Sequence, residues 1–329
     1  MIKILITEKE YNKAVDIFKS ELDFECIPAN LDENILAKAV KDNNAFGVIL
    51  GVDAYKDELY KSLPKGSIIA RFGVGHDGVD KNQATANGII ITNTPGVLDD
   101  SVAEHAMMLI GCFARNISKH ANEMKNKQWQ PVIGSELKGK TLLILGCGPI
   151  GRKTAKIASF GFGMNVIGYD IVRLDEERMK QDFGFNKIVS KLDEVISQAD
   201  YISIHIPSLP ATRHFINREF LSHLKSSCVI INTSRGPVAD EEALYDALRA
   251  GRISGAALDV FENEPFEPVN SSRDLRTLEN IILTPHVGSS TVEACNRMAQ
   301  SCLRNIKAAY DKRYNELDIL NPQVLEKLK

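Results

Sequence analysis

Short apolar runs alternate with longer amphipathic stretches along almost the whole chain. Runs at 2–7, 45–50, 68–72 and 89–93 form one series. Runs at 141–145, 165–170, 201–204, 228–232, 255–259 and 281–283 form a second. Many are apolar at consecutive rather than alternate positions, as strands covered on both faces of a parallel sheet require. The alternation predicts an α/β, doubly wound architecture. Between the series the periodicity predicts one helix over 99–126, with Asp99 or Asp100 as its cap and Glu104 in its first turns. A looser segment, 127–139, holds the only tryptophan, Trp129. A further helix is expected from Thr291 to about Tyr310. No internal repeat or low-complexity linker interrupts the pattern, and the 19 residues after Tyr310 are too few for an added regulatory domain.

Composition narrows the function. A length of 329 residues suggests two domains. The net charge of −3, with no long run of one sign, argues against broad attraction to nucleic acid or an anionic membrane. The N-terminal run lacks the length and cleavage site of a secretory signal, and no stretch approaches the ~20 apolar residues that span a bilayer. The six cysteines form no Cys-x-x-Cys pair, so free thiols in a reducing cytoplasm are expected, with no metal site.

The pattern G-x-G-x-x-G occurs twice, at 73–78 and 146–151, each time after a predicted strand. The second copy has the context of a dinucleotide site. Gly146, Gly148 and Gly151 permit a tight turn and close backbone approach. Pro149 suits the first turn of a helix predicted over 150–160, whose free N–H groups can face a pyrophosphate. About 19 residues past Gly151, a strand ends in Asp170, which can accept hydrogen bonds from a ribose diol and repel a 2′-phosphate, favouring NAD over NADP. The first copy lacks that acid; Asp99 has a similar spacing but follows the end of its strand. It reads either as a turn needing positive φ or as an anion-holding loop of backbone N–H groups.

Three later strand ends carry polar groups: Thr233-Ser234-Arg235, Glu262-Asn263-Glu264, and His286-Val287-Gly288. Ligands of doubly wound sheets sit beyond the carboxyl ends of the strands. Arg235 can grip a carboxylate in a bidentate fashion and polarise a keto oxygen. His286 can donate the proton that accompanies a hydride. Glu264 can bond the far imidazole nitrogen and orient the ring. Other histidines are set aside by position: His105 and His120 as packing or surface groups on a helix, and His205 at a strand end towards the adenine side.

At these residues the chain resembles the D-isomer-specific 2-hydroxyacid dehydrogenases. The match runs through 145–151, 232–236, 258–265 and 284–289, with 71–78, Asp80 and Val102-Ala103-Glu104 besides. The resemblance implies a Rossmann NAD-binding domain at 100–289, inserted in a split, flavodoxin-like substrate domain at 1–99 and 290–329. It implies Arg235, Glu264 and His286 at the active site. Pro149, Ile150, Asp170, Thr233, Ser234, Arg235 and Asp259 would contact NAD. His286, Val287, Gly288 and Ser289 would line its nicotinamide end, and Val74 and Gly75 would offer N–H groups to the carboxylate of a small 2-keto or 2-hydroxy acid. It also implies a homodimer through the NAD-binding domain, with 127–139 as part of the arm. Formate dehydrogenases carry Gln where this chain has Glu264. A short phosphoglycerate dehydrogenase and a hydroxypyruvate or glyoxylate reductase both fit the pattern, although 51–59 offers Lys56 and no arginine for a phosphate. A non-enzymatic NAD-sensing protein of the corepressor kind is the alternative from another class.

Overall fold

A computed structural model describes residues 1–328. The chain divides into two compact units: Met1–Leu98 with the chain from Ser289 onward, and Asp99–Gly288.

The first unit is built on five strands: β1 (Ile2–Thr7), β2 (Phe24–Ala29), β3 (Gly47–Leu50), β4 (Ile68–Arg71) and β5 (Ile90–Thr92). All pair in parallel in the order β2-β1-β3-β4-β5, the flavodoxin-like order. Consecutive apolar residues face opposite sides, so Leu5, Val48, Leu50, Ile69 and Ile91 enter one core with Leu36, Val40 and Leu59. The helix Val292–Tyr310 packs on β4, where the Cys302 thiol reaches the Arg71 carbonyl at 3.5 Å. Beyond it the chain runs antiparallel past β5. Leu320 N–H donates to the Ile91 carbonyl, and the Asn321 carboxamide accepts from Ile91 N–H.

The second unit holds β6 (Thr141–Leu145), β7 (Asn165–Tyr169), β8 (Phe185–Val189), β9 (Tyr201–Ile204), β10 (Val229–Asn232), β11 (Gly255–Leu258) and β12 (Ile281–Leu283). Their parallel order is β12-β11-β10-β9-β6-β7-β8. This is the Rossmann order with one further strand, and the chain reverses its direction of travel between β6 and β9. One apolar layer, with Leu143, Ile202, Ile230 and Leu258, covers one face of the sheet. Another, with Leu142, Ile144, Val166 and Ile231, covers the other. No helix among the described residues is long and apolar enough to cross a membrane.

The structure departs from the sequence pattern at three places. Strands β2 and β8 lie at sheet edges, where only the two end residues of each are buried and no continuous apolar run results. The helix expected over 99–126 is two helices, Asp99–Ala114 and Ile117–Lys125, parted at Asn116 with φ 52°. That left-handed conformation ends a helix, and asparagine tolerates it. The helix expected over 150–160 is α-helical from Pro149 to Lys156 and widens to a π turn over Ile157–Gly161.

The sharpest steric constraint is at Gly236, where a β-carbon would stand 1.8 Å from the Phe261 carbonyl carbon. Gly236→Ala must therefore displace backbone, and a loss of roughly 1–3 kcal/mol or more is expected in urea unfolding. A loss below ~0.5 kcal/mol, within the range of ordinary surface substitutions, would show that the two loops yield freely.

Candidate active site

In the second unit the glycine loop leaves β6 at the reversal point. Gly146 has φ 94°, a conformation that favours glycine. A β-carbon at Gly151 would lie 2.1 Å from the Gly146 carbonyl oxygen, so the turn closes only with glycine there. Gly148 caps the helix Pro149–Lys156 without a side-chain acceptor, and nothing lies within 4 Å of the position its β-carbon would take. With no side chain capping them, the first N–H groups of this helix are left for another acceptor, which an anion would supply. Asp170 follows β7. Its Oδ2 accepts from Cys147 N–H at 2.8 Å and its Oδ1 from Val172 N–H at 2.9 Å. Each oxygen keeps a lone pair for a further donor. Thr233 Oγ1, after β10, is buried without a hydrogen-bond partner. An open helix terminus, an acid at the next strand end and an orphan hydroxyl are what a dinucleotide would satisfy.

The loops after β10, β11 and β12 leave neighbouring strands. Asn232 folds back to fix the first of them, its Oδ1 accepting from Ser234 N–H and its amide donating to the Arg235 carbonyl at 2.9 Å. Arg235 Nη1 donates to the Ser234 carbonyl at 2.6 Å. Glu264 Oε2 lies 2.6 Å from His286 Nδ1, and Glu264 Oε1 accepts from Phe261 N–H at 3.0 Å. Burial alone would raise the Glu264 carboxyl. The His286 hydrogen bond and charge, the Phe261 N–H and the Arg235 charge outweigh it and hold the carboxyl below its ordinary value. Glu264 therefore stays a carboxylate near neutrality, and the proton between the pair belongs to His286 Nδ1. Its Nε2 is the nitrogen left to exchange a proton.

His286 has φ 53°, unusual for a residue with a β-carbon. Its N–H donates to the Asp259 carbonyl at 2.8 Å. The next two N–H groups, of Val287 and Gly288, donate to the Asp259 carboxylate at 2.9 and 2.8 Å, and the Thr284 hydroxyl donates to it at 2.6 Å. Asp259 is only 1% exposed. Burial pushes its carboxyl up, but hydrogen bonds from His105, Thr284 and Val287 pull it below the ordinary value. Asp259 is thus an anchor for the His286 turn: its Oδ1 takes Thr284 and Val287, while its Oδ2 takes Gly288 N–H and keeps a lone pair for a further donor.

A second buried acid braces the loop of Glu264. Glu241 Oε1 accepts from Glu262 N–H at 2.6 Å, and Glu262 Oε1 accepts from Glu241 N–H at 3.3 Å. His214 Nε2 lies 2.9 Å from Glu262 Oε2.

In the first unit, Gly73 (φ 143°) opens the other glycine loop. The Gly73 carbonyl accepts from Thr94 N–H at 3.1 Å, and the Val74 carbonyl accepts from the Asn93 amide at 2.8 Å. The Gly75 carbonyl accepts from Arg71 Nε and Nη2 at 3.2 and 3.1 Å. Across a trans peptide the next N–H points the opposite way. Three carbonyls drawn inward turn the N–H groups of Val74, Gly75 and His76 outward, in the manner of an anion-binding nest. Arg71, 2% exposed, holds the loop from beneath.

The structure therefore brings Arg235, Glu264 and His286 to adjacent loops of one sheet and sets Asp170 against the glycine loop. Ser289 is the first residue of the returning chain, in the other unit. Sequence reasoning missed His105, Glu241 and the His76 N–H. Residue type alone offered no signal for them; only the pairing of His105 with Asp259 across the fold reveals its place. His205, placed towards the adenine side, turns back on its own strand. Its Nε2 is 2.8 Å from Ser203 Oγ, and burial pushes it down to about 4.

Burial pushes the Glu241 carboxyl up from about 4.5 to about 7, the Glu262 and Glu264 charges adding to the rise and the Glu262 N–H opposing it. An acid that keeps its proton longer folded than unfolded costs the fold stability as pH climbs through that window. Glu241→Gln keeps an acceptor for Glu262 N–H and removes the charge. Its stability relative to the native chain should grow from pH 5 to pH 8, by about 1–3 kcal/mol at ~1.4 kcal/mol per pK unit. A difference independent of pH, read from denaturant midpoints, would reject this assignment.

Residues 107–288 match the D-isomer specific 2-hydroxyacid dehydrogenase NAD binding domain. A glyoxylate reductase of Korarchaeum cryptofilum is 37% identical over 309 residues, covering 92% of this chain and 90% of its own. A D-3-phosphoglycerate dehydrogenase of Methanocaldococcus jannaschii is 40% identical over 89% of this chain, which spans only 55% of that protein's length. The crystal structure of an NADPH-dependent glyoxylate/hydroxypyruvate reductase from Sinorhizobium meliloti superposes with a TM-score of 0.79 at 30% identity, covering 94% of this chain and 95% of that one. The chain belongs to the D-isomer specific 2-hydroxyacid dehydrogenase family and is an NAD-binding oxidoreductase of 2-hydroxy acids.

Proposed function

We propose that the protein reduces a small, unphosphorylated 2-keto acid, glyoxylate or hydroxypyruvate, to the D-2-hydroxy acid with NADH. The observation that carries this reading is the His286–Glu264 pair at 2.6 Å on an anchored turn, with Arg235 on a neighbouring strand end. When bound, the nicotinamide supplies the hydride. Arg235 holds the substrate carboxylate and draws charge onto the keto oxygen. His286 Nε2 gives that oxygen its proton as negative charge develops there, while Glu264 orients the ring and stabilises the imidazolium. In the oxidative direction the same nitrogen takes the proton. The outward N–H groups of Val74, Gly75 and His76 suit a carboxylate.

The substrate class rests on the loop at 51–59. There the N–H groups of Lys56, Asp57 and Leu59 are already taken by the Glu33 carboxylate. A substrate phosphate would meet negative charge where it needs donors. The glyoxylate and hydroxypyruvate reductases among the relatives support the same class. Asp170 favours NADH by repelling a 2′-phosphate. We also propose a homodimer through the second unit. The segment 127–139 carries Trp129 and Ile133, 82% and 96% exposed, apolar side chains that a partner subunit could cover.

Following NADH absorbance across a panel of keto acids should show kcat/KM for glyoxylate or hydroxypyruvate at least ~10-fold above 3-phosphohydroxypyruvate, a gap of ~1.4 kcal/mol. A preference for the phosphorylated acid overturns the substrate class. Arg235→Ala should lower kcat/KM by roughly 10³-fold, and a loss under ~10-fold would exclude Arg235 as the anchor. For the cofactor, Asp170→Ala should shift the NADH/NADPH ratio of kcat/KM towards NADPH. A native chain that already prefers NADPH, or an unmoved ratio, would remove that role.

A further inference from the structure

Resting on the reading of His286 as the acid–base group, we infer that His105 is a positioning residue for it, acting through Asp259 and Thr284. His105 lies on the helix Asp99–Ala114, far in sequence from the reactive loops. Its Nε2 comes to 3.2 Å from Thr284 Oγ1 and 3.4 Å from Asp259 Oδ1. The single hydroxyl hydrogen of Thr284 is committed to Asp259. Towards His105 that oxygen can only accept, so the hydrogen on Nε2 is shared between the two oxygens.

This contact completes the shell of a carboxylate that fixes the next loop. Asp259 takes the N–H groups of Val287 and Gly288 on its two oxygens. Those bonds, with His286 N–H on the Asp259 carbonyl, hold His286 at φ 53°. L-residues stay in that region only where the surroundings over-determine it. The ring of His286 must in turn sit where Nδ1 meets Glu264. Loss of the His105 donor leaves the Thr284 oxygen and the Asp259 carboxylate each one partner short. The turn then relaxes, and the imidazole loses its alignment. Because His105 acts through the turn and not on the substrate, its removal should change the proton step and leave substrate capture intact.

The test compares His105→Phe, which keeps ring volume without a donor, with His105→Gln, whose amide N–H can replace Nε2. For the purified enzyme at saturating NADH, His105→Phe should lower kcat by ~10-fold or more with keto-acid KM within about threefold. The alkaline limb of the pH–rate profile for keto-acid reduction should shift by roughly half a unit or more, as His286 parts from Glu264. His105→Gln should recover kcat to within about threefold of the native enzyme. An unchanged kcat and profile in His105→Phe would reduce His105 to packing. Equal impairment of both variants would mean that shape, not the hydrogen bond, matters, and would overturn the inference. Should His105→Phe not fold, Thr284→Val carries the test: the same kcat loss supports the relay, and native kcat overturns it. His286→Asn, run in parallel, separates the failures. Full activity there removes the acid–base reading itself, whereas an inactive His286→Asn beside a fully active His105→Phe removes only the role of His105.

Discussion

The reactive end of the second unit depends on one buried anion. A carboxylate as enclosed as Asp259 persists only if hydrogen bonds replace the water it has given up. Here the replacements are a hydroxyl and two successive backbone N–H groups from a single turn. The desolvation cost thereby becomes geometry, because the chain cannot satisfy the anion without bending as it does at 284–288. His286 takes its left-handed conformation as a result, and the opposition of its ring to Glu264 follows. The loop of Glu264 has its own brace in the reciprocal contacts of Glu241 and Glu262. Two acids outside the reaction thus set the positions of two groups inside it.

The two glycine loops show how one sequence pattern can present N–H groups by different means. At 146–151 the donors are those of a helix start, unbonded because a helix has nothing before its first turn to accept them. At 73–78 there is no such helix. The donors face outward because Thr94, Asn93 and Arg71 have drawn the preceding carbonyls inward. The first arrangement adds a helix dipole and suits a pyrophosphate; the second suits a single carboxylate.

Much of this was legible in the sequence because central parallel strands are apolar at every position. Runs such as Leu142–Leu145 or Val229–Ile231 have no other use, and the polar residues that follow must then lie at one sheet edge. That logic singles out Arg235, Glu264, His286 and Asp170. It misses strands β2 and β8, because an edge strand with one open side tolerates Pro28 or Lys187 and loses the continuous pattern. The break at Asn116 was hidden for a related reason: the amphipathic period resumes after it, and one left-handed residue leaves no trace in hydrophobicity. The partners of His105 are not legible in the sequence because they lie some 150 or more positions away. A side chain whose worth comes from one long-range contact looks like any other histidine on a helix.

The closing stretch of the chain has a consequence for synthesis. Strand β5 is paired on one side by β4, and on the other by residues near Leu320 and Asn321. The helix lying on β4 comes from the same late stretch. A ribosome therefore makes all five strands of the first sheet long before the segments that cover them. Meanwhile the whole second unit, which is continuous in sequence, emerges and can close on its own. Until then the first sheet carries a naked edge and a bare apolar face, the features by which nascent chains pair with one another. The first sheet is thus exposed from the synthesis of its strands until the segment 292–321 joins it.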